Sequence, residues 1–293
     1  MVAGIIKKMA LKLFGRLADS SEESFEYLKE TLLQADIHML LRTYLSLMYF
    51  FTFLSFLASF TGIFFYLHYF LGADLILSAF YSLLLSLVTS FVTFGAFLLL
   101  PSFRIDARKR NIETNLPFAI THMSAIASSG VPPSTMFRLI TEFREYGEIS
   151  KEAEKIVRNI DVFGIDVTTA IREVAKKTPS ATFKEFLEGV ATTIDTGGNL
   201  YAFLQQQSEK AMFEYRMRRE KYLQTLSTYA DFYTAVLIAA PLFLVAILSI
   251  MSLIEGKLWG MNIEDVMKVG IYIGIPAVNT IFLLFLHLTQ PEM

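Results

Sequence analysis

Four long stretches without a formal charge constrain this chain more than any other feature. Tyr44 to Leu71 runs 28 residues, Leu75 to Leu100 runs 26, Phe232 to Ile254 runs 23 and Val269 to Gln290 runs 22. An α-helix needs about 20 residues to cross the hydrocarbon layer of a bilayer, so each stretch is long enough to span. One such stretch can be a buried core helix. Four of them, in a chain that is 54% hydrophobic and 18% charged, exceed what a soluble core holds. The expected fold class is an all-α integral membrane protein, with four transmembrane helices in two hairpins and a cytoplasmic helical-bundle domain between them.

Lys and Arg set the orientation. Six precede the first stretch, eighteen lie in 101–231, and the Gly-Ala-Asp link at 72–74 has none. The link between the third and fourth stretches holds only Lys257 and Lys268. Because basic segments stay on the cytoplasmic side, both ends and the central segment are expected inside a multi-pass protein of the cell membrane. The expected division is a cytoplasmic amphipathic arm (1–43), a first hairpin (44–100), a cytoplasmic domain (101–231) and a second hairpin (232–290). The first apolar stretch starts too far in and runs too long for a cleaved signal peptide.

Composition also removes several chemistries. With no cysteine there is no thiol nucleophile, disulfide or cysteine-ligated metal. His38, His68, His122 and His287 are scattered and lack metal-ligand spacing; His122 reads as a packing or surface residue. There is no Gly-x-x-x-x-Gly-Lys-Ser/Thr loop to cradle a nucleotide phosphate. Region 101–230 has eighteen basic and sixteen acidic residues, mixed as on a protein-facing surface and unlike a nucleic-acid groove. No catalytic, cofactor or metal residue is expected.

Helical signals fill the rest. Ile5, Ile6, Met9, Leu13, Phe14 and Leu17 have helical spacing with lysines between them, which suits a helix on the membrane surface or docked on the cytoplasmic domain. Ser20 and Glu23 read as a capping box opening a second helix. In the central segment one helix has Pro117 near its first turn and stops at Gly130; others run to Gly147, to about Asp161, from Asp166 to before Pro179, and from Ser180 to Asp195. From about Asn199 no Pro or Gly intervenes before Pro241. One helix about 80 Å long is therefore expected to run from the cytoplasm into the third span. Pro241, Pro276 and Asn279 mark a kinked, locally polar region in the second hairpin, by default structural, alternatively a hinge.

Asp195-Thr196-Gly197 matches the triplet of aspartic proteases. That chemistry needs two facing copies sharing one proton, and helical sequence flanks this single one. The expected role is a turn: Gly197 and Gly198 end a helix in the left-handed conformation, Asn199 caps the next helix and Asp195 sits near its positive end. Met123–Phe137 and Val190–Leu204 echo one another as helix, Ser/Thr-Gly turn, helix, with Gly130 and Gly197 aligned at an offset of 67. One such pair fits a duplicated three-helix unit.

The stretches Asn115–Ile140 and Phe183–Arg216 together resemble the type II secretion system F domain family. They share its Leu-Pro-Phe-Ala, its small residues up to a Ser-Gly, and its Gly-Gly-x-Leu turn before a long basic helix. The Ser24–Ile37 arm and the Leu284–Met293 end are most similar to the archaellum and archaeal-pilus branch. The resemblance implies a non-enzymatic inner-membrane platform that couples a cytoplasmic hexameric ATPase to insertion of pilin or archaellin subunits into a filament. Platforms of that branch often carry a second such unit, which implies a dimer or pairing with another F-domain unit.

Three residue sets are candidates for function. Arg138, Arg144, Lys151, Lys155 and Arg158, alternating with glutamates, form an expected ATPase-docking rim at the distal end of the domain or a plain solvated face. Arg104, Arg108, Lys109 and Arg110, with Arg216, Arg218, Arg219 and Lys221, form a basic belt for anionic headgroups of the bilayer, or alternatively for the ATPase. Ser78, Ser82, Ser86 and Ser90, with Ser55, Ser59 and Gly62, mark close packing of the first two spans, a groove for the pilin helix, or self-association. The rival classes are a transporter or channel, which needs intramembrane charges that these spans lack, and a membrane scaffold or regulatory adaptor.

Overall fold

The computed structural model describes residues 2–70, 72, 74–253, 257–258 and 261–289. Ile254, Gln290, the Pro291–Met293 tail and the side chain of His287 lie outside the described residues. Four helical stretches are long and apolar enough to cross a membrane: Leu41–Phe70, Leu75–Ala127, Leu200–Ser252 and Ile263–Leu286. The chain forms two compact units, 1–209 and 210–293.

In the first unit, α1 (Val2–Ser21) packs on the first span, α3 (Leu41–Phe65). Phe14 lies against Phe50 and Phe53, Asp19 pairs with Arg42 at 2.7 Å, and the Tyr49 and Ser21 hydroxyls are 3.0 Å apart. These contacts hold the last turn of α1 helical, so Ser20 lies inside it and caps nothing. A short 3₁₀ turn at Glu23–Phe25 follows, and α2 (Tyr27–Gln34) starts later than the capping-box reading expects. Its contacts are with the first span, and Met9, Leu13 and Leu17 stay exposed on its other side. Leu28, Leu32, Leu45 and Met48 form a core joining the arm to the hairpin.

The second span does not end at the membrane boundary. α4 runs unbroken from Leu75 to Ala127, 53 residues, through both Pro101 and Pro117, or roughly 80 Å at 1.5 Å per residue. A helix start near residue 112, with Pro117 in its first turn, is therefore not observed. Proline inside a helix deprives the carbonyl four residues earlier of its donor. For Pro101 that carbonyl belongs to Phe97, and the Tyr44 hydroxyl of the first span donates to it at 2.6 Å. A neighbouring helix thus supplies the bond that the proline removes, and the helix continues.

Below the span, the lower half of α4 packs with α5 (Pro133–Glu142), α6 (Glu148–Asp161), α7 (Val167–Ala175), α8 (Ala181–Asp195) and the first turn of α9 (Leu200–Tyr233). Ile112, Ile120, Phe137, Ile149, Ile171 and Leu187 are among its fully or nearly fully buried core. The turn chemistry is as expected: Gly130, Gly147 and Gly197 have φ of 74°, 56° and 66°, Asp166 caps α7 at Thr168 N, and Ser180 caps α8 at Phe183 N. Gly147 is further constrained, since a Cβ there would fall 2.4 Å from Asn111 Oδ1, the atom that accepts from Glu148 N and so caps α6.

In the second unit helical structure continues to Ser252, through a π-helical segment at Thr234–Ala239 and α10 (Ala240–Ser252). A two-residue antiparallel pair, β1 (Lys257–Leu258) with β2 (Met261–Asn262), lies in the link. The fourth span comprises α11 (Ile263–Val269), a π-helical segment at Gly270–Gly274 and α12 (Ile275–Thr289). Each π segment lies just before one of the prolines, Pro241 and Pro276, at the place read as kinked. Asn279 accepts from the Tyr233 hydroxyl at 3.3 Å and donates to the Ile275 carbonyl, so the polar group in the span is bonded on both sides.

Candidate functional site

The most constrained polar cluster joins the arm, α4 and α6. On α6, Glu148, Glu152 and Lys155 fall at i, i+4 and i+7, one face of a helix. Arg108 on α4 is buried and enters that face: its Nε donates to Glu148 Oε2 at 2.7 Å and its Nη2 to Glu152 Oε1 at 2.5 Å. Its Nη1 donates to the Gln34 carbonyl at the end of α2. Lys155 lies 2.6 Å from Asp36 and 3.1 Å from Glu152, while Lys151 pairs with Glu148 at 2.6 Å. Asp36 has φ of 56°, a left-handed conformation uncommon outside glycine. That turn delivers its carboxylate to the cluster.

Charge pairing and burial oppose each other in this clasp, and pairing wins. Burial by itself would lower the pKa of Arg108, but Glu148 and Glu152 raise it. Burial would raise Asp36 and Glu148, but Lys155 holds Asp36 down, and Lys151 with Arg108 holds Glu148 down. Arg108, Asp36 and Glu148 are therefore ionised at neutral pH, and buried charges are tolerated only because each has a partner.

This geometry rearranges the candidate residues. Arg108 leaves the basic belt: it is 6% exposed and turned into the protein, whereas Arg104, Lys109, Arg110, Arg216, Arg218, Arg219 and Lys221 are exposed. Of the five rim residues, Lys155 is half-buried in the clasp and Lys151 borders it, beside the arm and Arg108 of α4 rather than at a distal end. Arg138, Arg144 and Arg158 stay exposed, Arg138 paired with Asp161 at 2.8 Å.

The serine stripe is the contact between the first two spans. Ser55 meets Thr93 at 3.0 Å, Ser59 meets Thr89 at 2.8 Å and Ser90 donates to the Thr52 carbonyl at 3.5 Å. Ser78, Ser82 and Ser86 are fully buried there, while Gly62 is exposed and off the seam.

The two glycine turns converge. Gly130 and Gly197, with Pro133, Ile194, Asn199 and Tyr201, line one cleft of about 530 Å³. The repeat seen in sequence thus brings its two turns to one place. Only Gly197 of the Gly197–Gly198 pair is left-handed; Gly198 is tight for another reason, a prospective Cβ lying 3.2 Å from the Thr193 methyl. Asn199 caps α9 through Ala202 N at 3.0 Å. Asp195 pairs with Arg172 at 2.6 Å, a cation rather than the second carboxylate of a peptidase. His122 packs edge-on against Phe143, with Nδ1 3.1 Å from the Tyr146 hydroxyl. Among the described residues no group of His, Asp and Glu is arranged to hold a metal ion.

One comparison with known proteins covers the two glycine turns. Residues 119–248 match the family described as Type II secretion system (T2SS), protein F. Flagella accessory protein J of Methanocaldococcus jannaschii is 28% identical over 145 residues, 49% of this chain and 26% of that protein. Its namesake in Methanococcus voltae is 26% identical over 161 residues, 55% of this chain and 29% of that protein. An uncharacterized protein of Methanocaldococcus jannaschii is 23% identical over 188 residues, 63% of this chain and 32% of that protein. The chain thus matches about a third or less of the length of these relatives. No solved structure matches.

Proposed function

We propose, from the premise that residues 119–248 belong to the type II secretion system protein F family, that this chain is a non-enzymatic membrane platform of an archaellum, type IV pilus or related secretion machine. In this reading a separate cytoplasmic hexameric ATPase acts on the lobe, and the spans pass that movement to pilin or archaellin subunits entering the filament. One observation carries the reading: the matched region covers both glycine turns, α5 to α8, the last turns of α4 and most of the third span.

The continuity of α4 suits force transmission, because an unbroken helix carries an axial push from the lobe into a span. Lobe and termini are placed in the cytoplasm by the distribution of Lys and Arg. The ATPase-facing surface is assigned to Arg138, Arg144 and Arg158, the rim residues not absorbed by the clasp, which steer a complementary partner more than they bind it. A homo-oligomer, or pairing with a second F-domain unit, belongs to the same reading.

Deleting the gene and imaging cells by electron microscopy tests the role: loss of a surface filament is expected, and filaments of normal number and length overturn it. Reversing Arg144 and Arg158 to Glu tests the surface, with at least a tenfold loss of ATPase co-purification expected at unchanged protein level. Undiminished co-purification removes that surface. A substrate-dependent flux through liposomes holding the isolated chain favours a transporter instead.

A further inference from the structure

Only one side of α1 is used by the chain itself. Ala10 and Ala18 are buried and Phe14 meets Phe50 and Phe53, while Lys8, Met9, Lys12, Leu13, Arg16 and Leu17 are exposed. Lys8, Lys12 and Arg16 recur every four residues and form one row along the helix; Met9, Leu13 and Leu17 form the row beside it. The charge on this face has one sign. Residues 1–18 hold Lys7, Lys8, Lys12 and Arg16 and no carboxylate, and the first acid, Asp19, is already held by Arg42 at 2.7 Å. In 101–230, by contrast, eighteen cations are mixed with sixteen anions.

Packing fixes the height of this face on the first span. Asp19 meets Arg42 but Phe14 meets Phe50 and Phe53, so α1 and α3 run antiparallel. The helical stretch Leu41–Phe70 has 30 residues, roughly 45 Å at 1.5 Å per residue, against a hydrocarbon layer of about 30 Å. Counted inward from Phe70, about 20 residues fill that layer and end near Phe51, level with Phe14. By helix rise, Lys12 and Arg16 then lie roughly 3 Å to either side of this level and Lys8 roughly 9 Å from it. The basic row thus straddles the boundary between hydrocarbon and headgroups, where a cation is costly unless a counter-charge or the reach of its own stem relieves it.

We propose that the exposed side of α1 is a binding surface for anionic lipid headgroups, with the basic row on their phosphates and the apolar row against the adjoining acyl chains. Two observations choose the bilayer as occupant: the helix is fastened to a span at the level where that layer ends, and its free face is cationic without a single acid. A basic row beside an apolar one is the pattern of interfacial helices. The proposal needs only the membrane spans and is independent of any role in filament assembly.

The chain has no cysteine, so a single introduced cysteine reports without background. Leu13→Cys is placed in the full chain, in nanodiscs of phosphatidylcholine alone or mixed with phosphatidylglycerol, and labelling by a membrane-impermeant maleimide is timed. Each cation near an anionic surface contributes about fivefold, so phosphatidylglycerol is expected to slow labelling at least tenfold. Tyr27→Cys, exposed on α2, is expected to label at the same rate in both lipids. Replacing Lys8, Lys12 and Arg16 with Gln is expected to restore fast labelling of Leu13→Cys, while Lys8→Arg with Lys12→Arg keeps the protection. Equal rates in the two lipids overturn the proposal. Fast labelling in both leaves the face in water; protection in both gives it to uncharged lipid, another part of the chain or a second copy. Protection that survives the glutamine replacements overturns it as well.

Discussion

Replacing Arg108 with methionine separates a structural clasp from a membrane-surface cation. Met keeps most of the side-chain length and removes the charge. Three acceptors then lose their donor: Glu148, Glu152 and the Gln34 carbonyl. Glu152 decides the magnitude, since its side chain is 2% exposed, against 15% for Glu148. Removing one partner of a buried ion pair costs about 3–5 kcal/mol. Lys155 still lies 3.1 Å from Glu152, and Lys151 2.6 Å from Glu148, so the loss falls near the lower end, about 3 kcal/mol or roughly two decades in the folding equilibrium. Pulse proteolysis of the full chain in nanodiscs measures it through cleavage in the arm and α6. The double variant Arg108→Met with Glu152→Leu removes the stranded charge together with its partner and is expected to recover most of the loss, as apolar replacement of buried pairs commonly does. A single-variant loss below about 1 kcal/mol, the range of exposed pairs, would refute the clasp and return Arg108 to the surface.

Two further outcomes follow from the same coordinates. Asp36 and Glu148 are held below their ordinary values of 3.8 and 4.5, so their contribution to stability is complete above those values and is lost as pH falls through the lowered ones; protection of the arm from protease should hold at pH 5 and fail progressively below about pH 4. Gly130→Ala and Gly197→Ala place a Cβ on backbone with φ of 74° and 66° and should each destabilise the lobe by about 1–2 kcal/mol in denaturant titration, whereas Gly198→Ala, which meets Thr193 and Thr196 but needs no left-handed backbone, should cost less; equal losses at all three would contradict the turn assignment.

Much of the lobe was legible because its helix ends are written in local chemistry. Gly130, Gly147, Asp166 and Ser180 each stop or start a helix through a preference acting within a few residues. The same local logic failed where packing against other elements carries a helix past its local signal. Pro117 reads as a helix start, yet α4 passes through it; Ser20 reads as a cap, yet α1 continues because the first span holds it. The clasp was half visible: Glu148, Glu152 and Lys155 share a face by spacing alone. That Arg108 meets that face, forty residues earlier in the chain, has no sequence signal, and a basic run beside a span reads as headgroup contact.

Four uncharged stretches, the bias of Lys and Arg, the turn glycines and the serine stripe settle what this chain is made of, because length, hydration and backbone preference act without reference to distant residues. Which carbonyl Tyr44 satisfies, which arginine is buried, and which side of α1 stays exposed are decided only when segments far apart in sequence meet, because pairing and packing energies belong to neighbours in space.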